Sequence, residues 1–281
     1  MIGTRRPLVT VSRWMVLFLF ALVCAFPFGW AAFTMFKSND DLYTVGHTPF
    51  LYNSPPTLDH VKVLFNETNF GTFVRNSVEI GVIVVCLTLL VSVPAAYAIA
   101  RLTGRWGPRI AMAVFIIYLV PPTLLFLPLS RVVADLGLQD TIWALVLVYP
   151  TLTAPFSTWL LVGFFRSIPR DIEEQAMVDG YTRVGAVVRT VLPLAVPGLL
   201  TVVIFTFALT TNDFIYAIAF ISTSSQMTIS AGVPVELIRG DVFFWQSLMA
   251  ATVLVAVPVA IAYNFFLDRF AQGLALGGVK G

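Results

Sequence analysis

Charge is scarce in this sequence: of 281 residues only 11% are Asp, Glu, Lys or Arg, while 58% are hydrophobic. That balance excludes an ordinary soluble domain and points to an integral membrane protein. There are only two cysteines, Cys24 and Cys86, and two histidines, His47 and His60. The cysteines fall in apolar runs, where packed free thiols are expected, so no disulfide or paired-cysteine metal framework is implied. The histidines share one polar stretch with no third ligand at a recognisable spacing, which suits solvated loop residues rather than a metal site. Also missing are G-x-x-x-x-G-K-[ST], H-E-x-x-H and G-x-S-x-G. The chain therefore lacks the phosphate loop needed to hydrolyse ATP unaided, and no catalytic residue or metal site is expected.

What is present is a series of long apolar runs. Trp14 to Phe36, Ser77 to Ala100, Ile110 to Leu129, Thr141 to Gly163, Leu192 to Phe220 and Gln246 to Leu267 are each long enough to cross a hydrocarbon layer of roughly 30 Å as a helix. A lone strand leaves its backbone polar groups unsatisfied in lipid, so an all-α integral membrane fold with six transmembrane helices is predicted. The first run follows Arg5 and Arg6 but is longer than a cleaved signal core, and it reads as a retained anchor. Only Glu79 and Asp213 place acids within these runs, a scarcity that weighs against a proton-driven carrier.

The basic residues give an orientation. Of 17 Lys and Arg, the side opposite the termini holds only Lys37, Lys62, Arg75, Arg131 and Arg239, and the other twelve share the side of both termini. The basic-rich side is predicted to be cytoplasmic, which makes the chain a multi-pass protein of the cell membrane with cytoplasmic termini. The net charge of +2 then reflects topology and does not imply a nucleic-acid partner.

Between two of the runs lies SIPRDIEEQAMVDGYTRVGAVVRTVLPLAVPGL, Ser167 to Leu199. Ser167 suits an N-cap and Pro169 a first turn, while Asp171, Glu173 and Glu174 suit the positive end of a helix dipole. Gly180 can end that helix in the left-handed conformation, and Thr182 can cap the next one. A helix-turn-helix lying on the cytoplasmic face is expected.

Glu173-Glu174-Gln175-Ala176, then Asp179-Gly180 and Leu192-Pro193-Leu194, resembles the E-A-A-x-x-x-G loop of binding-protein-dependent ABC importer permeases. Glu174 falls on the motif glutamate, Ala176 on its second alanine and Gly180 on its glycine; Gln175 departs from the first alanine. Asn212-Asp213-Phe214 is similar to the W-N-[DE]-F pattern of carbohydrate-uptake permeases of the maltose type, with Thr211 in the tryptophan's place. The tail Leu274 to Gly281, LALGGVKG, is similar to that subfamily's G-x-x-x-G-A-V-K-G ending.

The resemblance implies a type I ABC importer permease fold, with an N-terminal anchor and first outer loop at 1–70, a permease core at 71–267 containing the coupling loop 167–191, and a cytoplasmic tail at 268–281. In such importers a short coupling helix docks on a separate ATPase. Glu173, Glu174, Ala176, Met177, Asp179 and Gly180 would form it here, with Pro193 and Pro197 setting the start of the fifth span. The implied function is the permease subunit of an ATP-driven sugar importer. Its implied partners are a second homologous permease, an ABC ATPase dimer, an extracytoplasmic solute-binding protein and the lipid membrane, with ATP and Mg bound by the ATPase and no cofactor by this chain. A permease for polyamine or another small solute, an ATP-independent carrier and a membrane scaffold are the alternatives.

Two further segments are candidates. Asn212 and Asp213 either line a translocation path, offering donors and acceptors to sugar hydroxyls, or form a packing pair between helices. In the outer connection Ile221 to Trp245, Gly232, Val233 and Pro234 suit a protruding turn that would contact the binding protein. The other outer connection, Lys37 to Arg75, is too small for an independent binding domain and marks a turn at Ser54-Pro55-Pro56.

Overall fold

The protein is seen in a computed structural model that describes residues 7–277, with side chains over 11–265. In chain order it forms α1 (Pro7–Thr34), α2 (Asn39–Tyr43), α3 (Asp59–Asn66), α4 (Phe70–Tyr97), α5 (Gly107–Tyr118), α6 (Pro122–Asp135), α7 (Ile142–Ser167), α8 (Arg170–Val178), α9 (Arg183–Ala186), α10 (Leu192–Leu194), α11 (Val196–Asn212), α12 (Ile215–Phe220) and α13 (Ile229–Leu237). A two-residue hairpin, β1 (Ile238–Arg239) and β2 (Val242–Phe243), precedes α14 (Trp245–Gly277). The tail pattern LALGGVKG begins within α14, and its last four residues lie outside the described range.

Among the described residues four helices, α1, α4, α7 and α14, are long and apolar enough to cross a membrane. Two of the six expected spans are bent pairs: α5 meets α6 at 84°, and the segment Arg183–Leu194 meets α11 at 73°. The third run is therefore not one straight helix from Ile110 to Leu129. Its break falls at Leu119-Val120-Pro121-Pro122, where the prolines donate no N–H and hold the preceding residue out of the helical region. The fifth run breaks twice, at Ala195 and again at Asp213, whose backbone is extended (φ −69°, ψ 123°).

By internal packing the described chain divides into two units. In the larger, Asn69–Gly232 with the residues from Ala260 onward, α4 packs on α7 and α11, and α5 closes against α7. Its core near the α8 end contains Ala96, Tyr97, Ile99, Leu161, Phe165 and Val191. Higher along the same helices, buried Thr88 and Thr153 hydroxyls pair at 2.6 Å and the Ser92 hydroxyl donates to the Ala154 carbonyl at 3.2 Å. Small polar residues let the backbones approach closely where lipid supplies no hydrophobic drive between helices. Cys86 is exposed on α4 and Cys24 on α1, so, contrary to the expectation of packed thiols, neither is buried inside the chain.

The smaller unit, the residues up to Thr68 with Val233–Val259, orders the first outer connection around a buried ion pair. Lys37 Nζ lies 3.1 Å from Asp41 and donates to the Leu51 carbonyl at 2.6 Å. The backbone and side-chain N–H groups of Asn53 reach the other Asp41 oxygen at 3.0 and 2.7 Å. Burial by itself would raise the Asp41 pKa, but the Asn53 donors and Lys37 hold it below the usual value. The connection is a folded knot built on α2, which Ser38 caps by accepting from the Asp41 N–H at 3.1 Å.

Candidate functional site

The surface segment folds as a helix, a tight turn and a second helix, with one register correction. Ser167 is the last residue of α7, its hydroxyl bonded back to the Phe164 carbonyl at 2.8 Å, and so caps nothing; α8 starts at Arg170, with Pro169 extended before it. Pro169, at φ −56° and ψ 138°, is the N-cap residue of α8 rather than part of its first turn. The helix ends as the sequence suggests. Gly180 adopts φ +95°, its N–H bonds the Met177 carbonyl and the Tyr181 N–H bonds the Ala176 carbonyl, both at 3.1 Å. These two bonds make a Schellman ending, which needs a residue tolerant of positive φ. Thr182 then accepts from the Gly185 N–H at 3.2 Å and caps α9.

Burial divides the six coupling residues into two faces. Glu174 and Asp179 are exposed, and with Asp171, Gln175 and Val178 they line a shallow depression of about 260 Å³. Val178, which the motif did not mark, is 87% exposed. Ala176 is buried and Met177 half-buried. Glu173 faces inward at 6% exposure, correcting its assignment to a docking surface. Its carboxylate accepts from the Tyr97 hydroxyl and lies 3.7 Å from Arg101 Nε. Neither partner is in the loop, so no local pattern could have separated the roles of two adjacent glutamates.

The bend between α5 and α6 opens a cavity of about 520 Å³ whose wall includes Tyr118, Pro121, Thr151, Leu209, Asn212 and Asp213. One Asp213 oxygen, Oδ2, accepts from the Tyr149 hydroxyl at 3.0 Å and from the backbone N–H groups of Tyr216 and Ala217 at 3.0 and 3.2 Å. Its main-chain carbonyl accepts from the Ser230 hydroxyl at 2.6 Å. Asp213 thus starts α12 and ties it to α7, while it also lines the cavity; both readings hold at one residue. Asn212 is exposed and bonds back to the Ala208 carbonyl at 2.8 Å. Tyr149 was not legible as the partner of Asp213, from which it lies 64 positions away in sequence; the Tyr216 hydroxyl donates to the Pro122 carbonyl. Phe205 packs on Phe156 with ring centroids 4.3 Å apart.

In the outer connection, Gly232, Val233 and Pro234 do not form a protruding turn: all three are in α13. Gly232 is buried against the Phe73 ring, where an added Cβ would lie 2.6 Å from the ring carbon Cζ. The turn is the hairpin that follows, with Gly240 at φ +61° and Ile238, Val242 and Phe243 exposed. Phe243 stacks on Trp245 at 5.1 Å, and its carbonyl accepts from the Tyr43 hydroxyl at 3.0 Å. The start of the connection is fixed by Asp140, which accepts from the Ser222 and Thr223 N–H groups, both at 2.7 Å, and from the Thr223 hydroxyl. The hydroxyl bond leads these in holding the Asp140 pKa below the usual value.

Residues 65–276 match the family described as binding-protein-dependent transport system inner membrane component. The sulfoquinovosyl glycerol transport system permease protein SmoH of Agrobacterium fabrum is 37% identical over 91% of this chain and 89% of its own length. The trehalose/maltose transport system permease protein MalG of Thermococcus litoralis is 29% identical over 94% of each chain. Among solved structures, a chain of a bacterial ABC transporter involved in the import of the acidic polysaccharide alginate superposes with a TM-score of 0.80 at 18% identity, over 96% of this chain and 99% of that one. At this identity the likeness is one of fold.

Proposed function

The chain belongs to the binding-protein-dependent transport system inner membrane component family, and from that membership we propose that it is the membrane permease subunit of an ATP-driven sugar importer. The observation that carries the sugar reading is the near full-length similarity to permeases named for sulfoquinovosyl glycerol and trehalose/maltose transport. The chain is no enzyme: it is a membrane component, and ATP with Mg is bound by a partner. The cavity wall of Thr151, Asn212 and Asp213 beside Tyr118 supports the same reading, since hydroxyls, amide and carboxylate suit sugar hydroxyls and an aromatic ring suits a sugar face.

The partners follow from the same reading. A related alginate transporter, with a TM-score of 0.63 to this chain, is known in complex with a periplasmic protein carrying an alginate pentasaccharide. A solute-binding protein of that kind delivers substrate at the outer side, where the exposed hairpin replaces Gly232-Val233-Pro234 as the proposed contact. A second homologous permease completes the path. The exposed face of α8, from Asp171 through Glu174, Gln175 and Val178, docks on one subunit of an ATPase dimer, and both termini lie on that cytoplasmic side.

Copurification of the tagged chain in mild detergent, followed by mass spectrometry, tests this assembly. Recovery of an ATPase, a second permease and a solute-binding protein is the expected result, and the recovered binding protein is then screened against sugars. A chain recovered alone, under conditions that preserve complexes, overturns it.

A further inference from the structure

Of the three acids of α8, Asp171 and Glu174 are exposed and Glu173 is buried. A carboxylate at 6% exposure is costly to bury, and a helix that only had to be pinned would be held as well by an apolar side chain. Its surroundings suggest a more specific task. The Tyr97 hydroxyl, at the last residue of α4, donates to one Glu173 oxygen, and Arg101 Nε stands 3.7 Å from the other. The same guanidinium donates through Nη2 to the Ile168 carbonyl at 2.7 Å. Ile168 is the first residue past α7, so Arg101 joins the ends of α4 and α7 to α8.

The covalent route is weak by comparison. Between α7 and α8 the chain consists of Ile168 and Pro169, neither of them in a helix, so no continuous helix joins the two. Arg101 itself sits on a π-turn, Ala98–Leu102, and α8 also packs against a second π-turn, Val187–Val191. Such wide turns inside helices recur at functional sites.

We propose that Tyr97, Arg101 and Glu173 form an internal clamp that makes α8 and the ends of α4 and α7 move as one body, so that they are positioning residues for coupling. The proposal rests on the docking of α8 on an ATPase. It concerns the inner face of the helix, opposite the docking surface, and it explains why adjacent glutamates point in different directions.

The test uses the complete transporter in proteoliposomes with its binding protein. Cys24 and Cys86 are replaced by alanine, and Val178→Cys carries a photo-cross-linker. Tyr97→Phe keeps the ring that packs edge-on against Phe165 at 6.1 Å and removes one bond to a charged group. It is expected to lower the solute moved per ATP hydrolysed by roughly tenfold. Glu173→Gln lowers it by roughly tenfold, and the double variant no further, because the residues act as a unit. The cross-link to the ATPase persists in all of them. An unchanged transport ratio in every variant overturns the clamp, as does loss of uptake accompanied by loss of the cross-link, which marks a role in folding or docking only. A parent with no ATPase cross-link overturns the docking reading and the clamp with it.

Discussion

The Tyr149 hydroxyl meets the Asp213 carboxylate at 3.0 Å across 64 positions of sequence, and that contact joins helix geometry to the proposed path. Asp213 Oδ2 is saturated by Tyr149 and two backbone N–H groups. The residue therefore shapes the cavity by holding α12 in place, whatever it also offers to a solute.

Substitution at this pair separates the two roles. Asp213→Ala removes a helix cap and is expected to destabilise the purified protein by about 1–2 kcal/mol. Asp213→Asn retains an acceptor and costs less. Thermal unfolding in detergent, measured beside uptake, reads both; equal stability of the Ala and Asn variants with equal loss of uptake would count against the cap.

Gly180 is constrained by its backbone and faces open space, since nothing lies within 4 Å of an added Cβ and its φ is +95°. Gly180→Val forces a β-branched residue into the left-handed region at a cost of about 1–2 kcal/mol. The Schellman turn should open while the protein remains in the membrane, and uptake should fall at least tenfold, with less ATPase recovered on copurification. Normal uptake by this variant would refute the coupling role.

For the outer connection, opposite outcomes are expected at two neighbouring places. Gly232→Leu drives a side chain into the Phe73 ring and should lower stability by about 1–3 kcal/mol. Val242→Glu changes a hairpin residue that is 57% exposed, so it should leave unfolding unchanged but weaken binding of the solute-loaded binding protein, as surface plasmon resonance would show.

Asp140 gives a pH dependence of known sign. Its pKa is lowered in the folded protein by the Thr223 hydroxyl and the Thr223 and Ser222 N–H groups. The stabilisation is therefore present above the unfolded value, near 3.8, and is lost as pH falls through the lower folded value. The unfolding temperature of the parent should exceed that of Asp140→Ala at neutral pH, with the gap closing progressively below about pH 5. A gap constant from pH 7 to pH 3 would contradict this account.

Composition and local pattern determined much of this protein. Scarce charge and long apolar runs specify membrane helices because lipid leaves the backbone few alternatives. Gly180 and Thr182 announce a turn and a cap because both are local backbone requirements. Prolines at 121 and 122 stood in plain view, yet run length alone passes over them and counts one straight span. Only tertiary structure decided what depends on neighbours distant in the chain. Glu173 turned inward because Tyr97 and Arg101 wait beneath it, position 232 admits only glycine because the Phe73 ring fills the space beside it, and Asp213 caps α12 while Tyr149 holds its carboxylate. Local sequence fixes backbone preference within a few residues, whereas the partner of a buried charge or a close-packed glycine is chosen by which helices come to lie side by side.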